Sequence, residues 1–309
     1  MIRLANLRKE FDDLLAVNDL TVTIPAGEIY GLIGPNGAGK TTTIRMACGL
    51  LEPTAGEIEI NGIDVLRHPD DARRYIGYLS DFFSVYEDLK VWEYLDYFAH
   101  AYKMPEREIP PRIDEVIAEA GLETKRDQLI HGLSRGMKQR LGIARAMIHR
   151  PKVLLLDEPA SGLDPKARIE LRNLLRAVRD QGATILISSH ILTELEGLCT
   201  SLGIMEKGRL VRTGKLEEVI NAGAHSRLIK IQWLGDNAQQ LQDLLAPNPA
   251  ISEFKSNNGQ AEFRFTGTEE DQARLLSSLI SQGIRVTTFG EVRQTVEEMY
   301  MKLSTHEVM

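Results

Sequence analysis

No stretch of this 309-residue chain is long and apolar enough to cross a bilayer. A spanning helix needs roughly 18 to 20 apolar residues in a row, and the apolar runs here, Val153 to Leu156 among them, stop at charges. The chain is therefore not expected to span a membrane by itself. Its start, Met1-Ile2-Arg3-Leu4-Ala5-Asn6, lacks the apolar core and small-residue cleavage site of a secretory signal, which predicts a chain that stays in the cytosol. Cysteine is scarce as well. Cys48 and Cys199 lie far apart, neither in a C-x-x-C pair nor near a histidine at metal spacing, and both read as small buried hydrophobes. Positive charge is not in excess. A formal net charge of -7 gives no general pull toward nucleic acid or anionic lipid and argues against a nucleic-acid partner. Low-complexity segments and repeats with a 20 to 50 residue period are missing too. What remains is a chain of about two domains by the usual size prior.

The most informative stretch is Gly34-Pro35-Asn36-Gly37-Ala38-Gly39-Lys40-Thr41-Thr42, which reads G-x-x-x-x-G-K-[ST] directly after the apolar run Ile29 to Ile33. This pattern is a phosphate-binding loop. Glycines let the backbone curl so that successive N–H groups point at one anion, and the following helix, expected over Lys40 to Leu50, adds the positive end of its dipole. Lys40 would reach the β- and γ-phosphates of a nucleotide. Thr41 would offer its hydroxyl to Mg²⁺, whose remaining ligands would come from the nucleotide, from water and from a carboxylate elsewhere.

That carboxylate is expected from Val153-Leu154-Leu155-Leu156-Asp157-Glu158, an apolar strand ending in two acids. A strand buried in a parallel sheet delivers its last side chains to the carboxyl edge, where ligands of such folds collect. Asp157 would hold Mg²⁺ directly or through water, and Glu158 would polarise the water that attacks the γ-phosphate.

A third motif lies just ahead: Leu133-Ser134-Arg135-Gly136-Met137-Lys138-Gln139-Arg140. It resembles the L-S-G-G-Q signature of ABC transporter ATPase subunits. In that family the segment opens a helix, expected here from about Met137 to His149, whose N-terminus faces the γ-phosphate held by the opposite subunit. Ser134 and Gly136 keep the matching small residues. The resemblance covers about the first 220 residues, and its other motifs occur in family order. Phe11 stands where the family places a ring that stacks on adenine. Ser161-Gly162-Leu163-Asp164 is similar to the D-loop that crosses the dimer interface, although Asp164 also reads as a helix cap before Pro165. His190, after the strand Thr184 to Ser189, matches the switch histidine that contacts the γ-phosphate.

Three positions depart from the family. Where glutamine is common, at the end of the strand Tyr75 to Ser80, this chain has Asp81, which can ligate a metal but cannot reproduce an amide's donor. Turnover or coupling at that step is thereby placed in question. Arg135 and Met137 replace the family's glycine and glutamine, and Arg135 is read as projecting into solvent in preference to approaching phosphate. Between Asp81 and Leu133 the resemblance implies a helical subdomain whose groove receives a helix of the membrane subunit. Trp92, Tyr94, Tyr97, Phe98 and Tyr102 lie there, and most of them are expected to be core.

A boundary is expected near Asn221-Ala222-Gly223-Ala224, after a helix at Leu216 to Ile220. Beyond it, strands and helices alternate: Arg227 to Trp233, a helix over Asn237 to Leu245, a strand from Phe254, a turn at Ser256-Asn257-Asn258-Gly259, Ala261 to Phe265, a helix over Glu269 to Ile280, Ile284 to Phe289, and a last helix from about Val292 to Leu303. The order β-α-β-β-α-β is the ferredoxin-like pattern.

The reading is therefore an α/β P-loop NTPase of ABC ATPase type, with a mixed sheet and a helical subdomain at about 82–150, occupying residues 1–220, and a small α+β ferredoxin-like accessory domain at 221–309. The resemblance implies an ATP-binding, ATP-hydrolysing subunit with Mg²⁺. It also implies head-to-tail homodimerisation across two ATP sites and a separate membrane-spanning partner, most like those of bacterial multidrug or antibiotic exporters, so that the subunit sits on the inner face of the cell membrane. The alternatives are a soluble ABC-type ATPase of translation or repair and a regulatory module that closes on ATP with little turnover.

Overall fold

The computed structural model describes residues 1–291 apart from 196, 222–226, 236 and 258. The chain forms two compact units, Met1–Leu216 and Glu217–Met309. In chain order the first unit contains β1 (Ile2–Phe11), β2 (Leu14–Ile24), β3 (Ile29–Ile33), α1 (Lys40–Ala47), β4 (Ala55–Ile60), β5 (Ile63–Asp64), α2 (Pro69–Arg73), β6 (Ile76–Leu79), α3 (Val91–Ala101), α4 (Ile109–Glu119), α5 (Arg135–Met147), β7 (Val153–Leu156), α6 (Pro165–Asp180), β8 (Thr184–Ser189), β9 (Ser201–Glu206) and β10 (Arg209–Lys215).

Two sheets are built from these strands. One is antiparallel, in the order β2-β1-β4-β5. The other is mixed, in the order β10-β9-β3-β8-β7-β6, with β10 antiparallel at one edge and the remaining five strands parallel. Strands β3, β7 and β8 are buried along their whole length, which explains why they read as continuous apolar runs without alternation. A core formed from Ile2, Leu4, Leu20 and Ile58 of the antiparallel sheet and Tyr30, Leu32, Leu155 and Leu186 of the mixed sheet joins the two. The parallel register, Ile33 beside Ser189 and Leu156 beside both Ile187 and Leu79, aligns the C-terminal ends of four strands. Gly34, His190, Asp157 and Asp81 thereby leave the sheet along one edge.

The helical segment sits between β6 and β7, and two buried arginines lock it. Arg112 on α4 donates to the carbonyls of Met147 (2.6 Å) and Ile148 (3.1 Å) at the end of α5, while Arg140 on α5 donates to Ala120 (2.6 Å) and Gly121 (3.1 Å) at the end of α4. Each cation thus meets the unsatisfied carbonyls and the negative dipole end of the neighbouring helix. Helix α5 begins at Arg135, ahead of the expected Met137, because the Ser134 hydroxyl caps it by accepting from the Met137 N–H (3.3 Å). Helix α1 stops at Ala47, short of the expected Leu50. Gly49 turns to φ 66°, and the N–H groups of Leu50 and Leu51 fold back onto the Arg45 carbonyl. Of the five aromatics expected around this segment, Tyr94 is fully buried, whereas Tyr97 and Tyr102 are exposed. Cys48 and Cys199 are free and buried.

His149 follows α5 and fastens the helical segment to the sheet. Its ring stacks on Tyr102 at 3.7 Å between centroids, its Nε2 donates to the Ile76 carbonyl (3.0 Å), and its Nδ1 is buried without a partner. Protonation would place a charge where no acceptor waits, so burial pushes the imidazole down to about 4, with the Arg112 charge adding to the effect. The unfolded ring titrates near 6.5 and so binds the proton first. Stability contributed by His149 is present above about pH 6.5 and is lost as pH falls toward about 4, a difference of about 3 kcal/mol at about 1.4 kcal/mol per unit. Thermal unfolding followed from pH 7 to pH 4 is expected to show this loss, and His149→Gln should flatten it.

The second unit contains α7 (Leu216–Asn221), which begins at the junction, then β11 (Arg227–Leu234), α8 (Ala238–Leu245), β12 (Ile251–Asn257), β13 (Gln260–Phe265), α9 (Glu269–Ser281) and β14 (Arg285–Glu291). The antiparallel order β12-β13-β11-β14 and the sequence β-α-β-β-α-β make it ferredoxin-like. Ile229, Ile231, Trp233, Phe263 and Phe265 alternate toward a core shared with Leu241, Leu245 and Leu279 of the helices. Strand β12 starts at Ile251, ahead of the expected Phe254, and Asn257 pairs with Gln260, so Ser256 and Asn257, expected in the turn, belong to the strand. The helix expected from Val292 to Leu303 lies outside the described residues.

Candidate functional site

Four strand ends and the β1–β2 hairpin surround one cavity of about 760 Å³, lined among others by Phe11, Ala16, Gly37, Lys40, Thr41, Thr42, Asp81, Glu158 and His190. This size suits a nucleotide. Its floor is the turn from β3 into α1. Gly39 adopts φ 103°, and a side chain there would strike the Ala16 carbonyl, so only glycine allows the loop to close against the hairpin. Gly39 also caps α1 without any side-chain acceptor, which leaves the first N–H groups of the helix to an anion in the loop.

Lys40 is only 5% exposed. Its ammonium donates to the Gly34 (2.7 Å) and Pro35 (3.1 Å) carbonyls and lies 3.2 Å from Glu158 Oε1. Glu158 holds a left-handed backbone, φ 50°, an unusual conformation for a residue with a side chain, immediately beyond β7. Its other oxygen, Oε2, accepts from His190 Nδ1 (2.7 Å) and from the His190 N–H (3.3 Å). One carboxylate therefore joins the phosphate loop to the end of β8.

Asp157 is buried behind this wall, where the Ser188 hydroxyl donates to its Oδ1 (2.6 Å) and accepts from the Glu158 N–H (3.0 Å). Sequence reading passed over Ser188. The available signal was a hydroxyl in an otherwise apolar buried strand, which must find a partner. Glu194 was passed over in the same way. It is buried, its Oε2 lies 2.7 Å from the Ser189 hydroxyl and its Oε1 lies 3.5 Å from Arg168, so it braces the turn that carries His190. Asp81 lines the cavity, and burial first, then the charges of Asp157 and Glu158, raise its carboxyl above the usual range. Phe11 is 42% exposed on the cavity rim, with Lys9 Nζ 4.9 Å from its ring centre.

Other expected site residues lie elsewhere. Gly34 packs against the Met205 carbonyl and Ala38 is buried in the fold of the loop, whereas Asn36, Gly37, Thr41 and Thr42 face the cavity. Ser134, Gly136 and Asp164 do not line it. Ser134 caps α5, Gly136 is pressed so closely on Ala167 of α6 that a side chain would come within 2.7 Å, and Asp164 caps α6 by accepting from the Ala167 N–H (2.9 Å). Arg135 is exposed, as the solvent reading had it, and it also touches the turn after β7. Its guanidinium donates to the Ser161 carbonyl (2.9 Å) and lies over Gly162.

The donor set fits a nucleotide carrying a hard cation. Thr41 and Asp81 line the cavity, and Asp157 is buried next to Glu158. Among the described residues no group of three or more His, Cys, Asp or Glu side chains forms a metal cage, so a cation here would complete its shell with phosphate oxygens and water.

Residues 17–161 match the family described as ABC transporter, and residues 214–304 match the C-terminal domain of DrrA1-3-like ATP-binding proteins. The "Nod factor export ATP-binding protein I" of Rhizobium johnstonii is 38% identical over 310 residues, covering 99% of this chain and 96% of the relative. The protein of the same name from Cupriavidus metallidurans is 32% identical over 308 residues, covering 100% of this chain and 98% of that relative. The chain belongs to the ABC transporter ATP-binding family. A solved structure, the dimeric post-hydrolysis state of an ATP-binding cassette bound to ADP and phosphate, matches with a TM-score of 0.63 at 26% identity, over 70% of this chain and 99% of that one.

An ABC ATP-binding subunit binds and hydrolyses ATP and works with a separate membrane subunit. Among the described residues no helix is long and apolar enough to cross a membrane.

Proposed function

We propose that this ABC subunit powers an exporter by closing and opening a head-to-tail homodimer around two Mg²⁺-ATP molecules. The observation that carries the proposal is the division of the motifs. Lys40, Glu158 and His190 meet in one cavity, whereas Ser134 and Gly136, at the N-terminus of α5, are not part of its wall. A second copy supplies the missing wall. The loop N–H groups and Lys40 hold the phosphates, and Phe11 stacks on the base. Glu158 takes the proton from the attacking water, with His190 holding its carboxylate in place. Thr41, Asp157 and Asp81 would hold Mg²⁺, which would offset charge on the phosphates. Ser134 and Gly136 of one copy, with its Asp164 loop, complete the site of the other. Loss of the γ-phosphate removes the charge-assisted contacts that both halves share, and the interface opens.

Export follows from the relatives, whose names describe export ATP-binding proteins. A membrane partner places the subunit peripherally on the inner face of the cell membrane. The ATPase domain ends near residue 220, and the ferredoxin-like domain is an accessory to it.

Light scattering of Glu158→Gln with Mg²⁺-ATP tests the arrangement. Twice the chain mass is expected with ATP and single mass without it. Adding Ser134→Arg, which puts bulk and charge at the shared face, should return the protein to single mass. A dimer that ignores Ser134→Arg would rule out the head-to-tail arrangement.

A further inference from the structure

The turn carrying Glu158 is held from the other side by a residue that the mechanism above does not use. Helix α5 opens with Arg135, whose Nη2 donates to the Ser161 carbonyl at 2.9 Å. Ser161 in turn donates its N–H to the Glu158 carbonyl at 3.1 Å, and it lines the cavity beside Glu158. The guanidinium rests on Gly162. A side-chain carbon at that position would lie 2.6 Å from its carbon and both terminal nitrogens, and Gly162 has φ 66°. The backbone conformation favours glycine, and any side chain at this position would push the guanidinium off the turn. Below this contact Gly136 and Ala167 bring the first turns of α5 and α6 together without space for another atom.

The geometry points to Arg135 as a positioning residue that ties the first turn of α5 to the 158–161 turn and thereby sets the direction of the Glu158 carboxylate. Glu158 keeps its left-handed backbone only while its surroundings determine it. Its side chain is fixed by Lys40 and His190, but binding of phosphate draws on Lys40. At that moment the backbone bond from Ser161, steadied by Arg135, limits how far the turn can relax. A planar guanidinium suits this task because it can donate to the carbonyl while lying flat on the glycine, which a compact ammonium cannot do.

This inference rests on Glu158 acting as the base, and the experiment separates the two. In steady-state ATP hydrolysis, Arg135→Ala is expected to lower kcat about three- to tenfold, the size of one ordinary hydrogen bond, as suits a solvent-exposed donor, with KM for ATP changed less than twofold. Arg135→Lys should recover part of kcat. Gly162→Ala should cost kcat in the wild-type background and less in Arg135→Ala, where the guanidinium it would strike is gone. Binding of a fluorescent ATP analogue and melting temperature, measured on each variant, distinguish misdirection of Glu158 from misfolding. An Arg135→Ala protein with wild-type kcat, or strictly additive effects of Arg135→Ala and Gly162→Ala, overturns the tether. If Glu158→Gln itself hydrolyses ATP like wild type, the base assignment fails first; an inactive Glu158→Gln beside a fully active Arg135→Ala removes only the tether.

Discussion

Glu158→Gln is expected to lower ATP turnover at least about a hundredfold, the scale of a lost general base, while ATP binding persists. The substitution keeps the size of the side chain and one carbonyl oxygen able to accept from His190 Nδ1, now at 2.7 Å from Glu158 Oε2. It removes the negative charge 3.2 Å from the Lys40 ammonium. Lys40 is then left in a buried place with only the Gly34 and Pro35 carbonyls as partners, and a buried cation that loses its counter-ion is costly. Two consequences can be read independently of turnover. The nucleotide-free variant should melt at a lower temperature than wild type, and ATP should raise its melting temperature by more than it raises that of wild type, because the phosphates supply the charge that glutamine lacks. Phosphate-release kinetics together with a melting curve with and without ATP check all three outcomes. Turnover within tenfold of wild type would remove Glu158 from the role of base.

Lys40→Ala is expected to act on binding first, weakening ATP affinity by about 2 to 3 kcal/mol, or about a hundredfold, the range for hydrogen bonds to a charged group. The ammonium is pre-positioned by two carbonyls of the loop it serves, so little ordering is required when phosphate arrives. The same substitution leaves Glu158 in its buried place with His190 as its remaining side-chain partner. Some folding stability is therefore lost as well, and Glu158→Gln in the Lys40→Ala background should recover part of it. Equilibrium titration with a fluorescent nucleotide measures the first effect and thermal unfolding of the double variant the second. An affinity within threefold of wild type would mean that the backbone N–H groups of the loop carry phosphate binding without Lys40.

Both expectations start from contacts of different legibility. The phosphate loop was readable because its function is local: glycines, lysine and threonine are adjacent in the chain, and the turn they make depends on their own backbone freedom. The acidic pair was readable because a fully apolar strand can end in charge only at a sheet edge. In the second unit the strict alternation along β11 and β13 gave the buried face directly, since side chains in a strand point alternately to opposite sides. Element ends were less legible. The start of α5 at Arg135 depends on the Ser134 cap, and the early start of β12 depends on its pairing with β13.

By itself the sequence determined the nucleotide chemistry and the order of strands and helices in the second unit, because these follow from short patterns of backbone freedom, periodicity and charge, and the class of the chain through the resemblance of its motifs. Only the tertiary structure decided that one carboxylate, Glu158, bridges Lys40 and His190, that Ser188 joins Asp157 to the same turn, and that the exposed Arg135 lies over Gly162. These contacts join residues about 30 to 120 positions apart in the chain. Their distances are set by which strands neighbour each other in the sheet and by how closely α5 and α6 pack, and neither is encoded in any one stretch of the chain.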